Sequence, residues 1–166
     1  MVTLETDRLV LRQFRESDLD AYSEICADSE VMRYVGAGQP LTRAETWRSI
    51  ATVLGHWQLR GFGLWAVETK ADGQLIGRVG CWQPEGWPDF ELGWLLGRAY
   101  WGRGYAIEAA RASLHYAFAT LGRSHVISLI KPGNQRSINV ATRLGENLEG
   151  ETGLFGDPVM IYGLSR

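Results

Sequence analysis

Two glycines with an arginine between them stand directly before a predicted helix, in the segment YWGRGYAIEA at residues 100–109. A helix N-terminus binds anions, because its first N–H groups are unpaired and carry a partial positive charge. Gly102 and Gly104 lack a Cβ and let a bulky phosphate reach the backbone, while Arg103 adds a charged donor. An isolated Gly-x-Gly is also typical of a plain tight turn, and both interpretations stay open at this point.

Two common nucleotide-binding motifs fail to match this segment. The dinucleotide fingerprint needs a third glycine where this chain has Ile107, and an acidic residue after the next strand where it has Lys131. A P-loop needs Gly-Lys-Ser/Thr, which the sequence does not contain. The segment therefore remains a candidate site for a phosphate that belongs to another kind of ligand.

The composition narrows the possible partners. The chain has 166 residues, 45% hydrophobic and 22% charged, which predicts a single globular domain over residues 1–166. Seventeen basic and nineteen acidic residues give a net charge of −2, which argues against a nucleic-acid partner. No apolar run approaches membrane-spanning length, and charges stand where a signal peptide needs apolar residues, so we expect a cytoplasmic protein without a membrane partner. Cys26, Cys81 and the three histidines lack metal-ligand spacing, so no metal is expected.

The hydrophobic pattern supplies the elements that would position these residues. It predicts the order β-α-α-β-β-β-α-β-α-β-β, a meander followed by a βαβ crossover, which gives a mixed sheet with helices on both faces. The strand FELGWLL leads through the glycine segment into a long helix that Gly122 ends. An apolar strand at 125–131 and a short helix with Asn134 as N-cap follow, and two strands around a Gly-Asp-Pro turn end the sequence.

Capping residues and a turn mark the N-terminal half of the chain. Ser17 with Asp20, and Thr42 with Glu45, have the spacing of capping boxes, and each pair precedes an amphipathic helix. The dipeptide at 72–73, Asp-Gly, predicts the hairpin turn between the first two strands of the meander.

The segment ELGWLLGRAYWGRGYAIEA resembles the acetyl-CoA site of the GCN5-related N-acetyltransferases (GNAT). The signature of that family is Gln/Arg-x-x-Gly-x-Gly/Ala at the start of its main helix, and residues 101–106 fit it with Gly104 and Ala106 at the two small positions. Trp101 stands where the family usually has Gln or Arg. The form Tyr-Trp-Gly-Arg/Lys-Gly-Tyr-Ala is typical of the branch that resembles the ribosomal-protein N-terminal (RimJ/RimL-like) acetyltransferases.

A second motif, NQRSINVATRLG, resembles the corresponding helix of that branch, with Asn134, Ser137 and Gly145 in register. The opening and closing segments are also typical of the branch, so the resemblance covers nearly the whole chain. It implies the α/β (in some schemes α+β) GNAT fold: a mixed, mostly antiparallel sheet of six to seven strands, with about four helices on both faces. Two parallel strands, here 89–97 and 125–131, would splay apart.

The resemblance also implies where acetyl-CoA, the acetyl-donor cosubstrate, would bind. It would lie in the gap between the splayed strands, with its pantetheine amides bonded by strand backbone near Leu95, Leu96 and Gly97. Asn134 would also reach the pantetheine arm while it caps its helix. The pyrophosphate would be held by the backbone N–H groups of the glycine segment, which are those of Gly102, Arg103, Gly104, Tyr105 and Ala106.

Acetyl transfer to an amine needs a base for the ammonium proton and a donor for the developing oxyanion, and the leaving thiolate also takes a proton. Glu91 lies in an otherwise apolar strand, where burial would raise its pKa and make it a base near neutral pH. A solvent-exposed strand end, or a pair with an arginine, would give Glu91 a structural role instead. Ser137 falls on the apolar face of its helix, where its hydroxyl needs a partner and could bond a backbone carbonyl. The resemblance implies the alternative that Ser137 protonates the thiolate. The expected oxyanion donor is a backbone N–H near Leu95.

These observations predict an acetyl-CoA-dependent N-acetyltransferase that acts by direct transfer to a primary amine. The acceptor is either a protein N-terminal α-amine or a small molecule such as a polyamine or an aminoglycoside. A non-catalytic acyl-CoA-binding module is the alternative outside enzymes. Homodimers are common in the family, but nothing in the sequence marks an interface.

Overall fold

The computed structural model describes residues 2–166, and its strands form one mixed eight-stranded sheet. Five α-helices accompany the sheet. In chain order the elements are β1 (Leu4–Glu5), β2 (Leu9–Arg12), α1 (Leu19–Ala27), α2 (Ser29–Met32), α3 (Arg43–Arg60), β3 (Leu64–Thr69), β4 (Leu75–Trp82), β5 (Glu91–Leu96), α4 (Tyr105–His115), β6 (His125–Ile130), α5 (Gln135–Leu144), β7 (Asn147–Leu154) and β8 (Asp157–Ser165).

The sheet has the strand order β1-β2-β3-β4-β5-β6-β8-β7. Every neighbouring pair is antiparallel except β5 and β6, whose parallel register is limited to Glu91 opposite Ile127. The predicted mixed sheet with a splayed parallel pair is therefore confirmed. It has eight strands rather than six to seven, and five helices rather than about four, because the two-residue β1 and the four-residue α2 are too short for a periodic pattern.

Helices cover both faces of the sheet, as the sequence predicts. Successive side chains of a strand point to opposite faces. On β4, Cys81 contacts the carbonyl of Ser113 in α4, whereas the ring of Trp82 stacks on His56 of α3. The α1–α3 layer therefore covers one face and α4 the other. No helix within residues 2–166 is long and apolar enough to cross a membrane.

One of the two predicted capping boxes is correct. The side chains of Thr42 and Glu45 bond reciprocally at the start of α3. The predicted pair of Ser17 and Asp20 is wrong, because a 3-10 turn (Glu16–Asp18) precedes α1 and the carboxylate of Asp18 accepts the backbone N–H of Arg15. Asp18 is fixed there by a buried ion pair with Arg12 at 2.8 Å, a contact that the spacing of a capping box does not reveal.

The last hairpin turns one residue earlier than predicted. Leu154 pairs with Asp157, so Phe155 and Gly156 form the two-residue turn and Asp157 already belongs to β8. Both turn residues have positive φ, of 53° and 89°, which is the requirement of a tight hairpin turn. This places Phe155, which is 83% exposed, beside a cleft that opens between β5 and β6.

Candidate active site

A cleft of about 900 Å³ opens where β5 and β6 separate. One wall consists of the loop before α4, the start of α4 and the polar side of α5. The opposite wall consists of α1, α2 and the segment that leads to α3. The floor between them is formed by β4, β5 and β6. Candidate residues from distant parts of the sequence thus meet in one cavity.

The backbone amides of β5 alternate between two directions, toward β4 and toward the gap between β5 and β6. The N–H of Gly97 donates to the carbonyl of Ile76 on β4 at 2.9 Å, and β5 pairs with β4 without a bulge. Because hydrogen bonds alternate in direction along a strand, the amide of Leu95 also points to β4, while those of Trp94 and Leu96 point to the gap. The carbonyl of Leu92 belongs to the same gap-facing set.

The backbone predictions on this strand need a correction. Of Leu95, Leu96 and Gly97, only Leu96 directs its N–H into the gap, because the other two amides are used in the ladder with β4. The carbonyl of Leu96 is also occupied, since it accepts the indole N–H of Trp101 at 2.8 Å. Trp94, which the sequence reasoning missed as a backbone donor, joins Leu96 as a candidate for the pantetheine arm and the oxyanion. Because amide directions along a strand alternate with a period of two residues, a prediction that is wrong by one residue selects an amide that points the wrong way.

The loop before α4 has the geometry expected of an anion site. Gly102 and Gly104 adopt φ of 74° and 79°, a conformation that favours glycine. The backbone N–H groups of residues 102–106 have no hydrogen-bond partner within residues 2–166. Arg8 fixes the loop, because its guanidinium donates to the carbonyl of Arg103 at 3.0 Å and pairs with Glu108 of α4. The predicted pyrophosphate cradle therefore has unpaired donors in a fixed loop.

The positive charges of the cleft differ from the prediction. The side chain of Arg103 is exposed and does not line the cleft, and its guanidinium lies 5.9 Å from the ring centre of Tyr100. Arg136 and Arg143 on α5 line the cleft instead. The guanidinium of Arg136 stacks 4.0 Å from the ring centre of Trp101, the residue that departs from the family signature. Arg136 was missed because only the fold brings α5 to this loop.

Glu91 faces the cleft from β5 and is half-buried. Burial raises the pKa of its carboxyl to about 7, although the indole N–H of Trp87, the backbone N–H of Leu129 and the charge of Arg78 each favour the ionised form. The Trp87 bond measures 2.7 Å. No lysine or arginine nitrogen within residues 2–166 lies within 4.0 Å of the carboxylate, so it is not tied up in an ion pair. A carboxyl with this pKa is half ionised near neutral pH and suits a general base.

Replacing Trp87 with phenylalanine is expected to raise the pKa of Glu91 further. The indole N–H stabilises the carboxylate, so its loss favours the protonated acid and moves the acidic limb of the rate–pH profile upward by about one pH unit. The profile of kcat/KM against pH measures this shift. Trp82→Phe is the matched control, because Trp82 lines the same cleft but stacks on His56 without a bond to Glu91. Equal shifts in both variants would contradict the expectation.

A second buried carboxyl, Glu146, escaped the sequence reasoning. It is 3% exposed, and its Oε1 lies 3.1 Å from the hydroxyl of Ser128, which also donates to the carbonyl of Leu92 at 2.8 Å. Burial, with a contribution from the charge of Glu91, raises the pKa of Glu146 to about 8. One hydroxyl hydrogen cannot serve both acceptors, so the neutral acid of Glu146 donates to Ser128 while Ser128 donates to Leu92. This chain of bonds closes the gap between β5 and β6 below the cleft.

Glu146→Gln is expected to remove a pH-dependent loss of stability. The native carboxyl keeps its proton up to pH about 8, whereas the unfolded chain releases it near 4.5, so Glu146 lowers the free energy of unfolding as the pH rises through this window. Between pH 6 and pH 9 this loss amounts to about 3 kcal/mol. Urea denaturation at pH 6 and pH 9 should show a smaller drop for Glu146→Gln than for the exposed control Glu151→Gln. Equal drops would mean that Glu146 ionises normally.

Ser137 and Asn134 lie together at the start of α5. The side-chain oxygen of Asn134 accepts the N–H of Ser137 at 3.3 Å, which confirms the predicted N-cap. The hydroxyl of Ser137 accepts the indole N–H of Trp94 at 3.2 Å. Because an indole only donates, the hydroxyl keeps its own hydrogen for another acceptor, and no bond to a backbone carbonyl uses it within residues 2–166. Ser137 thus lines the cleft with a hydrogen available to donate.

No three His, Cys, Asp or Glu side chains in residues 2–166 are placed to hold a metal ion. Cys81 is also an unsuitable nucleophile, because it is fully buried and burial raises the pKa of its thiol to about 12. Glu91, in contrast, lines the cleft and has a pKa raised to about 7.

Comparison with known proteins gives matches over most of the chain. A family model described as an acetyltransferase (GNAT) domain matches residues 8–147. The protein YkkB of Bacillus subtilis is 31% identical over 167 residues, covering 96% of this chain and 93% of YkkB. An acetyltransferase structure from Agrobacterium tumefaciens has a TM-score of 0.88 and 32% identity over 100% of this chain and 95% of that one.

A structure of RimL, a ribosomal L7/L12 α-N-protein acetyltransferase in complex with coenzyme A, shares the fold with a TM-score of 0.79. It is 20% identical and covers 99% of this chain and 98% of its own.

Proposed function

Because the chain belongs to the GNAT family of acetyltransferases and is therefore an acyltransferase, we propose that it moves the acetyl group of acetyl-CoA directly to a primary amine. We propose further that the acceptor is an N-terminal α-amine, and that residues 1–166 form a single acetyltransferase domain. The observation that carries the proposal is a half-buried carboxyl of pKa about 7, Glu91, in a cleft that also contains unpaired amides. The RimL neighbour, which binds coenzyme A, supports the cosubstrate and the acceptor class.

The residues of the cleft fit acetyl-CoA. The unpaired N–H groups of residues 102–106 would bind the pyrophosphate, with Arg136 and Arg143 of α5, on the same wall of the cleft, as cationic partners. The gap-facing backbone of Trp94 and Leu96 offers strand-like pairing to the pantetheine amides. When bound, acetyl-CoA supplies an activated thioester carbonyl.

The chain's own residues account for the three proton and charge requirements of the transfer. Ionised Glu91 takes the proton of the acceptor ammonium, because a protonated amine cannot attack. A gap-facing N–H, of Trp94 or Leu96, stabilises negative charge that develops on the carbonyl oxygen. The hydroxyl of Ser137, whose oxygen is already bonded to Trp94, donates its hydrogen to the leaving thiolate and regains one from the proton that the attacking nitrogen releases as the amide forms.

The test is a thiol-release assay with acetyl-CoA over N-terminal peptides, polyamines and aminoglycosides. We expect release of one thiol per acetylated amine with N-terminal peptides, and thermal stabilisation of the protein by acetyl-CoA alone. Failure of acetyl-CoA both to stabilise the protein and to release thiol with any amine would contradict the proposed donor. Turnover confined to polyamines or aminoglycosides would leave the donor in place and overturn the proposed acceptor.

A further inference from the structure

Arg78 projects from the middle of β4 into the cleft floor. It lies on the same face of the sheet as Glu91, because Arg78 is opposite Leu95 and the two residues of each pair face one way. This is the face covered by α1 and α3, away from α4. Arg78 and Glu91 therefore face the α1–α3 side of the cleft, apart from the loop that carries the unpaired amides.

The guanidinium of Arg78 has no anionic partner of its own. Its Nε is buried without a hydrogen-bond partner, and no carboxylate within residues 2–166 lies within 4.0 Å of it. Its neighbours on α1 are the hydroxyl of Tyr22 and the thiol of Cys26, which are neutral because burial raises the pKa of both. The charge of Arg78 acts on these groups without being neutralised by them, and from beyond ion-pair distance it also favours the ionised form of Glu91.

Arg12, which is more deeply buried than Arg78, has a different environment. Arg12 on β2 is 8% exposed and makes ion pairs of 2.8 Å with two carboxylates, those of Asp18 and Glu68. A desolvated guanidinium is costly unless such partners compensate it. The fold provides them at the buried Arg12, whereas the half-buried Arg78, whose Nε is buried, has none and faces a cavity large enough for a ligand.

We infer that Arg78 binds an anionic group of the amine acceptor, so that the acceptor of this enzyme carries a carboxylate or phosphate in the same molecule as its amine. The amine lies at Glu91, which removes its proton, and the anion lies at Arg78, which holds it by charge-assisted hydrogen bonds. This inference rests on the proposed acetyl transfer and narrows its acceptor class. It disfavours polyamines, which would bring only positive charge to Arg78.

The experiment compares acceptors that differ only in the anion. The pairs are N-terminal peptides with Glu or Gln at position two, phenylalanine and phenethylamine, and phosphoethanolamine and ethanolamine. We expect the best anionic acceptor to exceed its neutral partner in kcat/KM by about tenfold to hundredfold. The pair that shows the largest ratio identifies whether the anion is a peptide side chain, an α-carboxylate or a phosphate.

Variants of Arg78 then test the assignment to this residue. Arg78→Met should reduce the ratio to near one, whereas Arg78→Lys, which keeps the charge, should retain most of it. The ratio does not depend on how much of a variant is folded, and the Kd of acetyl-CoA should stay unchanged in both variants.

A wild-type ratio near or below one, or a ratio that survives in Arg78→Met, would overturn the inference. Weaker acetyl-CoA binding in Arg78→Met with an unchanged ratio would assign Arg78 to the cosubstrate. Absence of thiol release with every amine would overturn the proposed function itself.

Discussion

Gly104→Asn is expected to weaken acetyl-CoA binding by about hundredfold, because an added side chain at the start of α4 occupies the place of a phosphate and blocks the amides behind it. Losing one or two charge-assisted hydrogen bonds, at roughly 1.5–3 kcal/mol each, accounts for this factor. Asparagine is the least strained choice at a φ of 79°, since it tolerates this conformation better than other side chains. A Cβ at Gly104 would meet the end of the flexible Arg8 side chain at 3.4 Å, so the fold should accept it.

Gly122→Asn separates the loss of the phosphate site from backbone strain. Gly122 follows the π-helical turn after α4 and has a φ of 65°, with open space where a Cβ would lie, and it does not line the cleft. Both variants should therefore lose about 1 kcal/mol or less of unfolding free energy. Isothermal titration with acetyl-CoA should show the weakened Kd for Gly104→Asn alone. Similar Kd values for both variants would mean that the glycine loop is a plain turn.

The sequence was informative where function depends on local conformation. Positive φ at Gly102 and Gly104, the unpaired amides after them, and the N-cap at Asn134 all follow from residue types at fixed spacing. Glu91 was identified for a comparable reason, since a carboxylic acid in an apolar strand must be desolvated, and its pKa is raised accordingly.

The missed features depend on contacts between distant segments. Glu146 follows a helix-ending glycine, a position where an acidic residue is expected to be exposed. In the structure it is buried next to the hydroxyl of Ser128, where β5 and β6 pack together. In the sequence Arg78 is an ordinary polar residue of a predicted strand. Only the fold shows that its neighbours on α1 are neutral groups and that its Nε has no hydrogen-bond partner. The error at Leu95 had another origin: sequence locates a strand to within a residue or two, whereas the direction of an amide changes at every residue.

Glu91→Gln is expected to lower kcat/KM by about 10²–10⁴-fold, the usual contribution of a general base. Glutamine fills the same volume and its side-chain oxygen can still accept the indole N–H of Trp87, so the cleft should keep its shape. In the wild type the rate should rise with pH through about 7 as Glu91 ionises, whereas the variant should show no such limb. Rate–pH profiles of both proteins, measured at saturating acetyl-CoA, provide the comparison.

The stability of the same variant rules out unfolding as the cause of a lost rate. The raised pKa means that native Glu91 holds a proton which the unfolded chain has already released near pH 4.5, so Glu91 lowers stability as the pH rises from there through about 7. Glu91→Gln should therefore be more stable than the wild type at pH 8 while it is far less active.

Glu146→Gln makes the same chemical change in a carboxyl outside the cleft lining and should gain stability while it keeps its activity. If the acidic limb survived in Glu91→Gln and vanished in Glu146→Gln, the base would be Glu146, acting through Ser128.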